Sequence, residues 1–194
     1  MNCPPRFRRV LPLTASCFFA LLLGSQILPA EDVPLLEEGG ATLGWSFDNG
    51  QEFAGATGEL VEQPGGPEGR AFLRLTGNFT EGGSYVQMLR NLKIGPIALI
   101  KLKIRTTHDC KLLARLIDST GQCHQGKPLT ISPDGEWQEI VIDPALNSGG
   151  EHWGGANDGV WHDPPAKIAF LLSSRGGDKE PAVDFADIQA EAAK

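Results

Sequence analysis

Residues 100–105 read Ile-Lys-Leu-Lys-Ile-Arg, and residues 137–142 read Trp-Gln-Glu-Ile-Val-Ile. Apolar and polar side chains alternate strictly in the first stretch, and the second ends in a β-branched apolar run that is also typical of a strand. A period of two residues places one face of a β-strand on a core and the other in water. The rest of the sequence shows no convincing 3.6-residue apolar period, which an amphipathic helix would require. The two stretches therefore predict an antiparallel β-protein.

Similar short runs lie on both sides of these stretches, separated by turn-forming residues. The chain contains 24 Gly and 14 Pro, which supply turns between strands. Ten strands are predicted, at Thr42–Phe47, Gly58–Glu62, Ala71–Leu75, Tyr85–Leu89, Ala98–Arg105, Lys111–Ile117, Lys127–Ile131, Glu136–Ile142, Lys167–Leu172 and Val183–Ala190. Short strands at this spacing predict an all-β fold, a two-sheet antiparallel β-sandwich of the jelly-roll type.

The N-terminal segment has the pattern of a cleaved signal peptide. Arg6, Arg8 and Arg9 form a positive region, residues 10–23 are mostly apolar, and Ala30 is a small residue at the expected cleavage point. The unbroken apolar run is shorter than the ~20 residues that a membrane-spanning helix needs. We therefore expect no membrane insertion and export of the protein to the periplasm or the extracellular space.

The charge of the remaining chain limits its partners. Removing residues 1–30 takes away three arginines and no acid, which leaves 14 basic and 24 acidic residues and a formal charge of −10. Nucleic acid and anionic membranes both favour clusters of Lys and Arg, so neither is an expected partner. We predict that residues 31–41 form a short acidic leader and that residues 42–191 form a single β-sandwich domain.

Two cysteines, Cys110 and Cys123, remain after cleavage, and an exported protein commonly pairs them. They flank the predicted strand Lys111–Ile117 and a turn at residues 118–121, which separates them by about 20 Å if the hairpin is local. A disulfide needs Cα atoms within about 7 Å. We therefore expect no disulfide unless the hairpin is not local.

The stretch between residues 143 and 167 has little strand character and is the strongest candidate for a binding site. Its centre reads Glu-His-Trp-Gly-Gly-Ala-Asn-Asp-Gly-Val-Trp-His over residues 151–162. A Trp ring stacks on the apolar face of a pyranose, and polar side chains pair with the hydroxyl groups. The predicted ligand-binding residues are Glu151, His152, Trp153, Asn157, Asp158, Trp161 and His162.

Other interpretations of this loop stay open. Trp153 and Trp161 can instead fold back as a small core that caps one end of the sandwich. His152 and His162 are potential metal ligands, but a structural role is favoured because a third ligand is not obvious. Glu151 and Asp158 can form the carboxylate pair of a glycosidase, although two acids in so acidic a chain are weak support.

Two further clusters are candidates. Tyr85 and Gln87 share one face of a predicted strand and could line a sheet surface with Arg115 and Gln122; the alternative is an ordinary solvated face. The second cluster is the carboxylate set Asp48, Glu52 and Asp187. If the terminal strands pair, this set could hold a structural Ca²⁺; the alternative is a turn and a solvated acid.

Four segments resemble one known family. They are Trp45–Phe53, Leu116–Gln122, Gly135–Gln138 and Glu151–His162. Together they resemble secreted bacterial galactose-binding-like jelly-roll domains, which are similar to carbohydrate-binding modules attached to glycoside hydrolases. The resemblance extends over Thr42–Ala190. It implies a non-catalytic glycan-binding role, with a structural Ca²⁺ between the terminal strands.

Modules of that kind usually accompany a catalytic domain, and none follows the predicted jelly roll here. We expect a free-standing binder or a partner glycoside hydrolase on a separate chain. The leading hypothesis is an exported, non-catalytic carbohydrate-binding β-sandwich whose ligand is a polysaccharide or another glycan. One alternative is a cell-envelope adaptor domain that binds a protein partner, and another is a small polysaccharide-degrading jelly-roll enzyme.

Overall fold

The structure, a computed structural model, describes residues 32–35, 44–147 and 150–193. The strands and the helix are β1 (Asp32–Pro34), β2 (Trp45–Asp48), β3 (Thr57–Gln63), β4 (Phe72–Asn78), β5 (Tyr85–Asn91), β6 (Ile97–Arg105), β7 (Lys111–Ile117), β8 (Cys123–Gln125), β9 (Gln138–Ile142), α1 (Pro144–Asn147), β10 (Glu151–Trp153), β11 (Lys167–Ser173) and β12 (Ala182–Ala192). Short 3-10 turns lie at Gln51–Phe53 and Pro67–Gly69. The predicted signal peptide, residues 1–30, lies outside the described residues, and no helix within them is long and apolar enough to cross a membrane.

The strands form two six-stranded antiparallel sheets. The front sheet has the order β10-β8-β7-β11-β5-β2. The back sheet has the order β3-β4-β12-β6-β9, and β1 also pairs with β12. The structure therefore confirms the prediction of an all-β, two-sheet antiparallel sandwich.

The core lies between the two sheets and follows the alternation of the sequence. On β6, Ile100, Leu102 and Ile104 are buried, as the alternating pattern predicts. Phe170 of the front sheet and Phe185 of the back sheet are fully buried, with ring centroids 5.1 Å apart. Burial of each such side chain stabilises the fold by roughly 1.5–3 kcal/mol, so contacts of this kind hold the sheets together.

Nine of the ten predicted strands correspond to strands of the structure. The prediction at Lys127–Ile131 is wrong, because this stretch runs beside β7 without forming a strand. Its backbone contact with β7 is the hydrogen bond from Leu129 N to Leu112 O (2.8 Å), and Pro128 has no N–H to donate. Three short strands, β1, β8 and β10, were not predicted.

The first described residues belong to the back sheet, although the sequence predicted a leader at residues 31–41. Asp32 pairs with Glu191 at the start of the β1–β12 ladder. Leu35 is fully buried, and its carbonyl accepts a hydrogen bond from Trp45 Nε1 (2.9 Å). The predicted leader therefore contains residues that pair with and pack on the sandwich.

Both cysteines are free. Cys110 precedes β7, whereas Cys123 begins β8 opposite Ile117. The hairpin between β7 and β8 is local, with Arg115 opposite Gln125. A local hairpin is the arrangement for which the sequence argued against a disulfide.

Candidate functional site

The outer face of the front sheet brings together side chains from three neighbouring strands, β5, β7 and β11. Leu171 of β11 lies between Leu113 of β7 and Gln87 of β5. Two residues further along, Ser173 lies between Lys111 and Tyr85. Because alternate residues of a strand share a face, the register places all of these side chains on the side away from the core.

The centre of this face is apolar. Tyr85, Leu113 and Leu171 form a small buried cluster that is separate from the core between the sheets. They line the floor of a depression of about 570 Å³, together with Phe53 and Pro128 at its side. A depression with an apolar floor on an open sheet face is suited to a ring-shaped ligand.

Aromatic rings and one guanidinium form a row across the face. The rings of Phe53 and Tyr85 meet edge to face, with centroids 6.3 Å apart. The guanidinium carbon of Arg115 lies 4.9 Å from the centroid of Tyr85 and 5.3 Å from that of Trp153. Phe53 is 52% exposed and Trp153 is 43% exposed, so the row offers a ring to solvent at each end.

Hydrogen bonds hold Arg115 and Trp153's strand in place. Arg115 Nε donates to Gln125 Oε1 (2.7 Å), and Gln125 Nε2 donates to Glu151 Oε2 (2.9 Å). The three residues lie on β7, β8 and β10, and Glu151 is opposite Gln125 in the ladder. These bonds therefore fix the edge of the sheet that carries Trp153.

At the other end of the row, Tyr85 donates a hydrogen bond from its hydroxyl to Glu52. Burial raises the pKa of Tyr85, and the bond to Glu52 raises it further, against a lowering effect of Arg115. Nearby, Gln87 Nε2 donates to Asp48 Oδ2 (2.8 Å), while Gln87 Oε1 is buried and has no hydrogen-bond partner within the described part of the chain. Tyr85 therefore stays a neutral phenol, and Gln87 keeps one unused acceptor.

A buried polar network lies behind the loop that carries Trp153. Asp118 is fully buried and its Oδ2 accepts hydrogen bonds from His124 Nε2 (3.1 Å) and His162 Nδ1 (3.2 Å). Its Oδ1 accepts bonds from Thr120 Oγ1 (2.7 Å) and the backbone N of Gln122 (3.0 Å). An ionised carboxylate only accepts, so the ring nitrogens of both histidines donate to it.

The network keeps Asp118 charged. Burial by itself raises the pKa of Asp118, but the hydrogen bonds from Thr120, His124, His162 and Gln122 outweigh burial and hold the pKa well below its ordinary value. A buried charge with this many donors stabilises the conformation that supplies them.

Gln122 joins this network to the loop. Its Nε2 donates to Val160 O (2.9 Å) and Asp158 Oδ1 (3.2 Å), and its Oε1 accepts from Gly159 N (3.0 Å). Gly155 has a φ of 51°, and a Cβ there would lie 2.2 Å from Gln122 N, so this close approach requires glycine. The loop is thus fastened to the turn between β7 and β8.

Trp161 belongs to the packed part of this loop. Its ring packs against the main core and meets His124 edge to face, with centroids 5.4 Å apart. Trp161 Nε1 is buried without a hydrogen-bond partner among the described residues. This arrangement corresponds to the small-core interpretation of Trp161, whereas Trp153 points to the open face.

The residues predicted as ligand-binding are therefore divided between two places. Glu151, Trp153, Tyr85 and Gln87 lie on the outer face of the front sheet, with Arg115 beside them. The second group lies in the loop or the network behind it and comprises His152, Asn157, Asp158, Trp161, His162 and Gln122. Within β10 the division follows from strand alternation, because Trp153 and His152 point to opposite sides.

The predicted calcium set is not brought together. β2, which carries Asp48, pairs with β5 of the front sheet rather than with the terminal strand β12. Asp187 lies on the back sheet, where its carboxylate pairs with Arg70 (2.9 Å) and Lys103 (3.0 Å). The residues present do not fit a Ca²⁺ site, and the described part of the chain contains no group of three or more His, Cys, Asp or Glu side chains that could hold a metal.

Sequence reasoning missed several residues of the face. Phe53 lies in a segment that carries the family resemblance but was given no role, and Leu113 and Leu171 lie in predicted strands but were not proposed for the site. The signal was present in β7, where Lys111, Leu113 and Arg115 share one side of the strand. Only the pairing of β7 with β11 shows that this side is the outer face of the front sheet.

No protein-family model matches the sequence, and no curated protein matches it. The fold is that of jelly-roll β-sandwiches found in carbohydrate-binding modules. It is similar to the family 11 carbohydrate-binding module of the cellulosomal cellulase Lic26A-Cel5E of Clostridium thermocellum, with a TM-score of 0.63 and 15% identity over 84% of this chain and 96% of that one.

Two further solved structures show the same likeness. One is the Clostridium thermocellum family 11 module in complex with a β-1,3-1,4-mixed-linked tetrasaccharide, with a TM-score of 0.60 and 16% identity over 84% of this chain and 96% of that one. The other is the K1 cleaved adhesin domain of Lys-gingipain from Porphyromonas gingivalis W83, with a TM-score of 0.52 and 12% identity over 84% and 99%. At these identities the likeness establishes the fold.

Proposed function

We propose that the protein is an exported, non-catalytic carbohydrate-binding module whose ligand, a polysaccharide, lies across the outer face of the front sheet. The observation that carries the proposal is the row Phe53–Tyr85–Arg115–Trp153 over an apolar floor. Export is supported by the N-terminal charge and apolar pattern of the sequence.

The chemistry of the face suits a sugar chain. The exposed ring of Trp153 offers an apolar surface to the C–H face of a pyranose. The carboxylate of Glu151, the amide of Gln125 and the guanidinium of Arg115 lie beside it and can pair with hydroxyl groups. The shared fold with a module that has been seen with a bound tetrasaccharide supports the same class of ligand.

A non-catalytic role is supported by the hydrogen bonds that the two candidate acids, Asp158 and Glu151, already make. Asp158 accepts from the backbone N of Val160 (2.9 Å) and from Gln122, within the loop network. Glu151 is bonded to Gln125 on the outer face. A glycosidase needs two carboxyl groups facing one bond of the substrate, and these two serve different parts of the structure.

Affinity electrophoresis through gels cast with soluble polysaccharides tests the proposal. We expect at least one polysaccharide to retard the protein, and Trp153→Ala to weaken this binding by about tenfold, the effect of removing ~1–2 kcal/mol of ring contact. The matched control is Trp137→Ala. Trp137 lies on the back sheet, where its ring packs against Phe72 and Arg105.

The two variants separate the outcomes. Retardation that is lost in Trp153→Ala and kept in Trp137→Ala supports the proposed face. If no polysaccharide retards the folded protein, the result contradicts the carbohydrate-binding function and favours a protein partner. Release of reducing ends from a retarding polysaccharide contradicts the non-catalytic role.

A further inference from the structure

The depression on the front sheet is cationic in a protein that is acidic as a whole. The full chain has a formal charge of −7. The lining of the depression nevertheless contains the cationic side chains Lys111, Arg115, Lys127 and Arg175 and a single carboxylate, that of Glu151. The local charge is therefore opposite in sign to that of the molecule.

These cations are also unpaired, in contrast to those of the back sheet. Lys101, Lys103 and Arg105 alternate on the outer side of β6, and each has a carboxylate of β12 within 3.0 Å. None of the four cations of the depression has a carboxylate within 4.0 Å in the described part of the chain. Unpaired charges that converge on one depression produce a positive potential there.

We propose that the polysaccharide bound by the front sheet is anionic, a chain of sugars that carry carboxylate or sulfate groups. This inference rests on the proposed function and names the ligand class of the same site. The apolar floor at Tyr85, Leu113 and Leu171 accepts a sugar ring, and the cations around it accept the charged groups of that ring and its neighbours.

Arg115 joins the two parts of the site. Its guanidinium stacks between Tyr85 and Trp153, within the aromatic row. Its Nε is bonded to Gln125, so the orientation of the guanidinium plane is fixed. A fixed planar fork of N–H donors is the arrangement that recognises carboxylate and sulfate oxygens, so Arg115 is the residue expected to contact both ring and charge.

The test measures retardation in gels that contain polygalacturonate or alginate (carboxylate), carrageenan (sulfate), or hydroxyethylcellulose (neutral). We expect strong retardation by at least one anionic polymer, little by the neutral polymer, and a loss of retardation as NaCl is raised. The carboxylate and sulfate gels distinguish which group is bound. The variant Lys111→Gln/Lys127→Gln is expected to weaken anionic binding by about tenfold.

The matched control is Lys93→Gln/Lys179→Gln, which removes the same charge from exposed lysines outside the depression. Equal weakening by both double variants would overturn the inference, because it would show a dependence on net charge alone. Retardation by the neutral polymer that Trp153→Ala abolishes and Lys111→Gln/Lys127→Gln leaves intact would overturn it while upholding the proposed function. No retardation in any gel overturns both.

Discussion

The outer faces of the two sheets use the same residue types in opposite ways. On the back sheet, Arg105 Nη2 lies 2.7 Å from the carboxylate of Asp184, and its guanidinium lies 4.5 Å from the ring centroid of Trp137. On the front sheet, Arg115 is also stacked on aromatic rings, but its hydrogen-bond partner is the neutral amide of Gln125. Paired charges stabilise a surface, whereas unpaired charges remain available to a ligand.

Asp184 shows how complete the pairing on the back sheet is. Arg74 Nε lies 2.6 Å from Asp184 Oδ1, and Arg105 approaches Oδ2 through both Nε (3.0 Å) and Nη2 (2.7 Å). Asp184 is buried beneath the two guanidinium groups. Asp184 and the two arginines therefore form a paired ion cluster, which is a suitable comparison for the cations of the front face.

The largest loss of stability is expected at Asp118. This residue is the centre of the buried network that holds the edge of the front sheet carrying Trp153. Asp118→Ala leaves His124 and His162 without their acceptor, and we expect the free energy of unfolding to fall by about 3–5 kcal/mol. Urea denaturation measures the change. Asp158→Asn, at an exposed carboxylate of the loop that is fastened to this turn, is the control and should change stability far less.

A pH series sharpens the same point. The pKa of Asp118 is lowered in the folded protein, so its stabilisation is present in full above the ordinary pKa of about 3.9 and is lost as pH falls below it. We expect the melting temperature of the wild-type protein to fall more steeply than that of Asp118→Asn as the pH is lowered from 5 to about 3. Parallel curves for the two proteins would contradict the assignment of a charged Asp118.

Substituting Arg105 and Arg115 separates a structural arginine from a ligand-binding one. Arg105→Gln removes two hydrogen bonds from the buried Asp184 and should reduce the free energy of unfolding by about 1–3 kcal/mol. Arg115→Gln removes no ion pair and should cost less than about 1 kcal/mol while weakening polysaccharide binding. Denaturation and affinity electrophoresis on both variants check this. A larger loss of stability in Arg115→Gln than in Arg105→Gln would show that Arg115 has a structural role.

A small loss of stability is also expected at Tyr85. Tyr85→Phe keeps the ring against Phe53 and Arg115 and removes the hydroxyl that donates to Glu52. The expected cost is about 0.5–1.5 kcal/mol of stability, with binding through ring contacts kept. Comparison with Tyr85→Leu, which removes the ring, separates the contribution of the hydroxyl from that of the ring.

The strand pattern of the sequence predicts most of the fold. β6 alternates from Ile100 to Arg105 and β7 is a mostly apolar run of seven residues, and both were predicted with bounds close to those of the structure. β8 and β10 have three residues each, too few to show a period, and they form because they pair with β7 and with each other. The pairing of such short strands leaves no periodic signal in the sequence.

The candidate site was predicted only in part, because pairing between strands decides which side chains lie together. Tyr85, Gln87 and Arg115 were expected on one face, and the register places them there. Gln122 was expected beside them, but the turn organised by Asp118 Oδ1 takes its side chain into the buried network. A tryptophan in a glycine-rich loop is compatible with both packing and exposure, and only the structure distinguishes Trp161 from Trp153.

The pairing of β1 with β12 has a consequence for how the molecule is held. Asp32 is opposite Glu191, so the two ends of the described chain leave the sandwich side by side on the back sheet. A tether, a surface or a fused enzyme attached at either end would therefore be anchored on the back of the molecule. The outer face of the front sheet would then lie on the side of the molecule away from that anchor, where it stays accessible.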